Sequence, residues 1–199
     1  MPLVFYFSLG ILILLFGIQL GSRFFKIDRN KLFRISRAIF FGSIILIFIL
    51  LFYYSRLQFF AWYDAGPPAQ YLVPPFSGIG YFLFYVLARF WAAYFVSFSI
   101  SLLFFYAAKA LNEKYGERFF YPEEYCFLAI SIFLTGHPAW ILDLFLVCVI
   151  YILVSGFKTL VLRQKERISF YFLWIPVAIL VILLSRWPIL QPLFQVLKF

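Results

Sequence analysis

The chain has 199 residues, of which 65% are hydrophobic, 25% aromatic and only 13% charged, and its formal net charge is +9. A soluble domain carries about a quarter of charged residues, so this composition excludes a soluble globular protein and favours one bundle of membrane helices. The basic residues are divided among short gaps between apolar runs, a distribution that argues against nucleic-acid binding.

The apolar runs are of membrane-spanning length and lie at about 3–21, 38–54, 80–108, 125–157 and 168–185. No basic residue precedes the first run, so we expect a retained span rather than a cleaved signal peptide. The gap 22–37 holds six basic residues and one acid, Asp28. The positive-inside bias places this gap in the cytoplasm, where we expect it to bind anionic lipid.

The second span returns outward to the segment 55–79, which contains Gly66-Pro67-Pro68 and Pro74-Pro75. Turn-forming residues and few charges predict a ribbon with turns that lies on the outer surface or dips into the protein. The third span, 80–108, then leads back to the gap 109–124, which mixes basic and acidic residues and is placed inside.

The fourth apolar run is too long for one crossing. As a single helix, 125–157 would extend about 50 Å, against about 30 Å of hydrocarbon. Gly136-His137-Pro138 interrupts it, because glycine and proline stop a helix and the residue before proline resists the α region. We therefore predict two segments, 123–135 and 138–157, of which the first is short or re-entrant and begins after Pro122 with two acids that suit a helix N-terminus.

The gap 158–167 is basic and is placed inside as a second site for anionic lipid. The last span, 168–185, contains Pro176, which is predicted to kink it. The tail, 186–199, is expected to lie at the outer interface. The sequence thus predicts an all-α, polytopic transmembrane bundle: a single domain over 1–199 with about six membrane segments, in a bacterial inner membrane, with both termini outside.

Two charges fall inside predicted spans, where they are costly and usually face a partner or a wet cavity. They are Arg89 and Asp143, at similar depths in the outer half of the bundle. We predict that they pair, with His137 nearby and Asp64 capping the cluster from the outer segment. Independent snorkelling to the headgroups and a working proton or substrate site are the alternatives.

His137 is the only histidine, and Cys126 and Cys148 form no CxxC motif. These residues predict no metal site, and no cofactor is expected. A turn histidine that caps a helix end is favoured over a proton shuttle. Glu123 and Glu124 are the candidate catalytic acids, although stabilisation of a helix N-terminus is the simpler interpretation.

The order of features over about 114–185 resembles the C-terminal half of bacterial type IV prepilin peptidases. It reads Lys114-Tyr115-Gly116-Glu117-Arg118, Tyr121-Pro122-Glu123-Glu124, an apolar limb, Gly136-His137-Pro138, another apolar helix and RQKERISFYF. The resemblance implies an aspartic endopeptidase that acts at the cytoplasmic face. The GxGD and CxxC motifs of that family are absent, so it implies a relative with lost or changed activity, in which Glu123 or Glu124 stands in for the catalytic aspartate.

Three functions remain open. The shortage of polar residues in the spans favours a non-enzymatic scaffold or assembly partner in a membrane or envelope complex, with membrane protein partners. The resemblance favours a degenerate aspartic membrane endopeptidase. The predicted cluster of Arg89, Asp143 and His137 would suit a small membrane carrier.

Overall fold

The structure, a computed structural model, describes residues 2–25, 28–116, 120–160 and 170–188. Over these ranges it contains six helices and no strand, so the predicted all-α bundle is confirmed. The helices are α1 (Pro2–Phe24), α2 (Arg29–Asp64), α3 (Ile79–Lys114), α4 (Pro122–Thr135), α5 (Ala139–Leu160) and α6 (Trp174–Leu184). Four of them, α1, α2, α3 and α5, are long and apolar enough to cross a membrane, which makes the chain a membrane protein.

Helix α4 forms the centre of the bundle. It packs against α1, α2, α3, α5 and α6, and every residue from Glu123 to Leu134 is buried. Its ends follow from the sequence: Pro122 occupies the first turn, where its missing N–H is not needed, and Gly136 closes the helix with φ +74°. The predicted break at Gly136-His137-Pro138 is therefore confirmed. Its 14 residues extend about 21 Å, less than the hydrocarbon of a bilayer.

Helix α1 touches the bundle through one narrow stripe. Its buried residues recur every three or four positions, which places them on a single face: Val4, Ser8, Leu12, Leu15 and Gln19. The opposite face is apolar and exposed, as it is on α5, where large side chains such as Ile152 and Leu153 point away from the protein. Such faces suit contact with lipid.

Helices α2 and α3 extend beyond the rest of the bundle as a hairpin, residues 55–91, which we call the arm. The backbone N–H of Leu3 donates to the hydroxyl of Tyr54 at 3.0 Å, which fixes the start of α1 at that level. Helix α2 continues to Asp64, about 15 Å further. The arm has a small core of its own, made by Val73, Phe82 and Val86 packed against Phe59 and Trp62.

Three expectations about the segments are corrected. The segment 55–79 is helical up to Asp64, because helix α2 continues until the glycine and prolines begin, and after them it contains turns and a short 3-10 helix, Ala69–Leu72. The gap 22–37 is mostly helix, since α1 ends at Phe24 and α2 begins at Arg29. Pro176 does not kink the last helix, because α6 begins at Trp174 and its first turn tolerates proline.

Two predicted segments lie mostly outside the described residues: the basic gap 158–167 and the tail 186–199. Leu3 and Arg186 belong to the arm side of the bundle, as the guanidinium of Arg186 lies 4.5 Å from the ring centre of Phe5. Which side of the membrane each end faces stays a prediction.

We expect Gly136→Ala to destabilise the protein by about 1–3 kcal/mol. The reason is that residues with a side chain adopt a backbone conformation of φ +74° and ψ 165° only under strain. Gly42→Ala, at a helical glycine of α2 with open space around it, is the matched control and should be neutral or slightly stabilising. Thermal unfolding in detergent micelles measures both. Equal melting temperatures for the two variants would show that the backbone at Gly136 carries no strain.

Candidate functional site

Four chain segments meet at one end of the bundle, which we call the basic end: the last turn of α1, the first turns of α2 and α4, and the turn Phe170–Phe172. They enclose a cavity of about 460 Å³, the basic-end pocket, within the size range of small-molecule sites. Its lining is formed by Ser22, Arg23, Arg29, Leu32, Tyr121, Glu123, Tyr171 and Phe172.

Aromatic rings position the two arginines of the pocket. The guanidinium carbon of Arg29 lies 3.9 Å from the ring centre of Tyr121, and that of Arg23 lies 5.7 Å from the ring centre of Phe172. Both distances fall within the range of cation–π contacts. Within the described part of the chain, neither guanidinium forms an ion pair with a carboxylate. The fork of N–H donors on each arginine is thus available to an anion.

Glu123 is the acid of the pocket. Its side chain is only 3% exposed, and its Oε2 atom has no hydrogen-bond partner among the described residues. Burial raises the pKa of Glu123 above its ordinary value, while a backbone hydrogen bond and the charge of Arg29 act in the opposite direction. Its neighbour Glu124 is also buried. The pocket therefore combines two cationic donors with one buried acceptor.

Two loop contacts hold the start of α4 in place. Asn112 near the end of α3 donates from Nδ2 to the carbonyl of Phe120 at 2.9 Å and also to the hydroxyl of Tyr125. The backbone N–H of Phe120 donates back to Oδ1 of Asn112 at 3.0 Å. This reciprocal pairing fixes the residues that precede Pro122, and with them the position of Glu123.

A second polar network closes the pocket from the side of α1. Gln19 donates from Nε2 to the backbone carbonyl of Tyr171, and the hydroxyls of Ser22 and Tyr171 lie 3.1 Å apart. Sequence reasoning missed these residues, as it missed the role of Arg23 and Arg29 in a pocket. One feature of the sequence could have identified Gln19. It is a polar amide on the otherwise apolar helix face that contains Leu12 and Leu15, which indicates a buried hydrogen bond.

The candidate cluster around Asp143 does not assemble. Asp143 is fully buried in α5, and neither of its carboxylate oxygens has a hydrogen-bond partner among the described residues. The hydroxyl of Ser131, which lies beside it, donates instead to the carbonyl of Leu128 at 2.9 Å. Arg89 is exposed in the single π turn of α3, Leu87–Trp91, and forms no ion pair with Asp143.

Two further residues were predicted to belong to that cluster, His137 and Asp64. His137 sits in the turn between α4 and α5 and is partly buried, while Asp64 is exposed as the last residue of α2. Cys126 and Cys148 are free thiols. Among the described residues no group of three His, Cys, Asp or Glu side chains lies close enough to hold a metal ion.

No family model matches the sequence, and neither the curated proteins nor the solved structures compared with it give a significant match. The pocket must therefore be interpreted from its own chemistry.

We expect Glu123→Gln to flatten the dependence of stability on pH. Because the folded protein holds the pKa of Glu123 above its unfolded value, the folded state binds this proton more tightly than the unfolded state does. The resulting stabilisation is complete below the ordinary glutamate pKa of about 4.3 and is lost as the pH rises through the folded pKa.

The measurement is the melting temperature in micelles between about pH 4 and pH 8. Glu113→Gln is the control, because that side chain is 63% exposed and pairs only with Lys109 on the surface. Wild type and Glu113→Gln should lose stability in parallel as the pH rises, and Glu123→Gln should lose less. Three parallel curves would contradict the assignment.

Proposed function

We propose that the protein is a non-enzymatic integral membrane protein, a scaffold or assembly partner in a membrane or envelope complex. The observation that carries the proposal is the arm, which extends beyond α1 and keeps an apolar surface along its length. Three of its residues are charged, Arg56, Asp64 and Arg89.

Aromatic and aliphatic side chains cover the outside of the arm. Those exposed are Leu57, Phe60, Tyr63, Tyr71, Leu72, Phe76, Ile79, Tyr81, Leu83, Phe84 and Leu87. An apolar groove of about 420 Å³ runs along its base, where the indole N–H of Trp91 donates to the hydroxyl of Ser55 at 3.0 Å. Contiguous apolar surface of this kind marks an interface with another protein or with lipid.

The buried carboxylates support a non-enzymatic role because they do not converge. Aspartic chemistry needs two carboxyl groups that share one water. Asp143 lies beside Ser131, which is eight residues after Glu123 on α4 and thus about 12 Å along the helix. Glu123 and Glu124 are adjacent, and neighbouring positions of a helix do not face each other.

A scaffold that binds its partner through the arm should lose that partner when large exposed side chains of the arm are replaced by alanine. We expect the double variant Tyr81→Ala and Phe84→Ala to move the protein from a larger complex to its free size on native gels of mildly solubilised membranes. Truncating two large exposed anchors removes the contact area on which an interface depends. The matched control is Ile152→Ala with Leu153→Ala on α5, whose exposed fractions of 66% and 65% resemble the 55% and 72% of the arm pair.

The control variant should migrate as wild type does. If both double variants release the complex equally, or if wild type already runs at its free size, the arm is not the docking surface.

The alternative is a degenerate prepilin-peptidase-like endopeptidase, and one observation favours it: Glu123 begins a buried helix and lines a pocket with an unpartnered oxygen. We expect the wild-type chain to leave a co-expressed prepilin uncut. If wild type processes the prepilin and the double variant Glu123→Gln with Glu124→Gln does not, the scaffold proposal is rejected in favour of the peptidase. Glu113→Gln serves as the control. A small carrier has less support, because Arg89 is exposed and forms no ion pair with the buried Asp143.

A further inference from the structure

We propose that the basic-end pocket binds the headgroup of phosphatidylethanolamine, with the phosphate on Arg23 and Arg29 and the primary ammonium on Glu123. This ligand site is separate from the arm and does not depend on the scaffold role. The shared chemistry is a phosphate ester that carries a primary ammonium group.

The arginines supply the phosphate half of the site. Each guanidinium is held at the pocket by an aromatic ring, Arg29 by Tyr121 and Arg23 by Phe172. Neither lies within ion-pair distance of a carboxylate in the described part of the protein. Planar arginine forks match phosphate oxygens in charge and geometry, and cation–π contacts leave the N–H edges free to donate.

Glu123 supplies the ammonium half. Its Oε2 atom is buried without a hydrogen-bond partner among the described residues, although the side chain lines the cavity. A buried carboxylate oxygen left in this state is costly. A primary ammonium has three N–H donors and one positive charge, so it would satisfy both the hydrogen bond and the charge of Glu123.

The neighbourhood of the pocket favours a lipid as the source of this headgroup. Phe24 and Phe25 directly follow Arg23, and the side chain of each is 82% exposed. Large aromatic side chains this exposed at the end of a membrane helix are suited to the headgroup region of a bilayer. The pocket therefore opens at the depth where phosphate and ammonium groups are concentrated.

The same geometry predicts selectivity among lipids. Phosphatidylcholine offers the phosphate but has no N–H donor, and phosphatidylglycerol has no cation at all. The first cannot donate a hydrogen bond to Oε2 of Glu123, and the hydroxyls of the second can donate one but cannot balance the charge of the carboxylate. Net charge alone would instead favour phosphatidylglycerol, because the basic end is rich in arginine and lysine. The order of the three lipids therefore separates a built site from general electrostatic attraction.

The experiment is native mass spectrometry of the delipidated full-length protein, titrated with each lipid at matched chain length. We expect phosphatidylethanolamine to bind at least about tenfold more tightly than either other lipid, the effect of one charge-assisted hydrogen bond. Equal affinities, or a preference for phosphatidylglycerol, would overturn the proposal.

Two variants assign the halves of the headgroup. Glu123→Gln keeps the shape of the side chain and should reduce the affinity for phosphatidylethanolamine to that for phosphatidylcholine. Arg29→Gln should weaken both lipids by the same factor, because both carry the phosphate. Arg56→Gln, an exposed arginine on the arm that also lies over an aromatic ring, is the matched control and should change neither.

Melting temperatures in micelles establish that each variant is folded before binding is compared. A folded Glu123→Gln protein that still prefers phosphatidylethanolamine would overturn the assignment of the ammonium. Soluble O-phosphoethanolamine tests the source: it should compete only weakly, since it lacks acyl chains. Competition as strong as that of the whole lipid would assign the pocket to a soluble ester instead and reject the lipid.

Discussion

The rest of the structure depends on one constraint, the nearly complete burial of α4, a helix that runs only from Pro122 to Thr135. The helix is shorter than the hydrocarbon thickness of a bilayer, and five other helices surround it. Its first residues are acidic, and burial in this position deprives them of bulk water. At the basic end, α1, α2 and the turn Phe170–Phe172 leave a polar cavity beside Glu123. The location of the pocket is thus a consequence of where α4 starts and how completely it is enclosed.

Local features of the fold could be predicted because they depend on neighbouring residues. The break at Gly136-His137-Pro138 and the helix start at Pro122 follow from backbone restrictions that proline and glycine impose wherever they occur. The pocket could not be predicted in the same way. Gln19 and Tyr171 are 152 positions apart, and their contact depends on how α1 packs beside α6. Such a contact has no periodicity that a single sequence reveals.

The unpaired Arg89 shows why helical depth is a weak guide to contact. Counting residues gives the height of a side chain along a helix axis, and by that measure Arg89 and Asp143 were close. Pairing also requires that both side chains point toward each other around their axes. Arg89, in the π turn Leu87–Trp91, is exposed, whereas Asp143 is fully buried. A charge that faces outward can extend its long stem toward headgroups.

The two buried acids, Asp143 and Glu123, differ in whether a ligand can reach the carboxyl group and form a hydrogen bond with it. Asp143 is fully buried, so its surroundings are set when the protein folds and a ligand cannot reach it. Glu123 is almost as buried, yet it lines a cavity that opens between two arginines. Among the described residues, Glu123 feels the charge of Arg29 but forms no ion pair with it, an arrangement that folding alone does not favour, because each charge would be better solvated or paired. The arrangement becomes favourable once a molecule with opposite charges at matching separation enters, which is why the pocket is better understood as a site for a zwitterion than as a defect of packing.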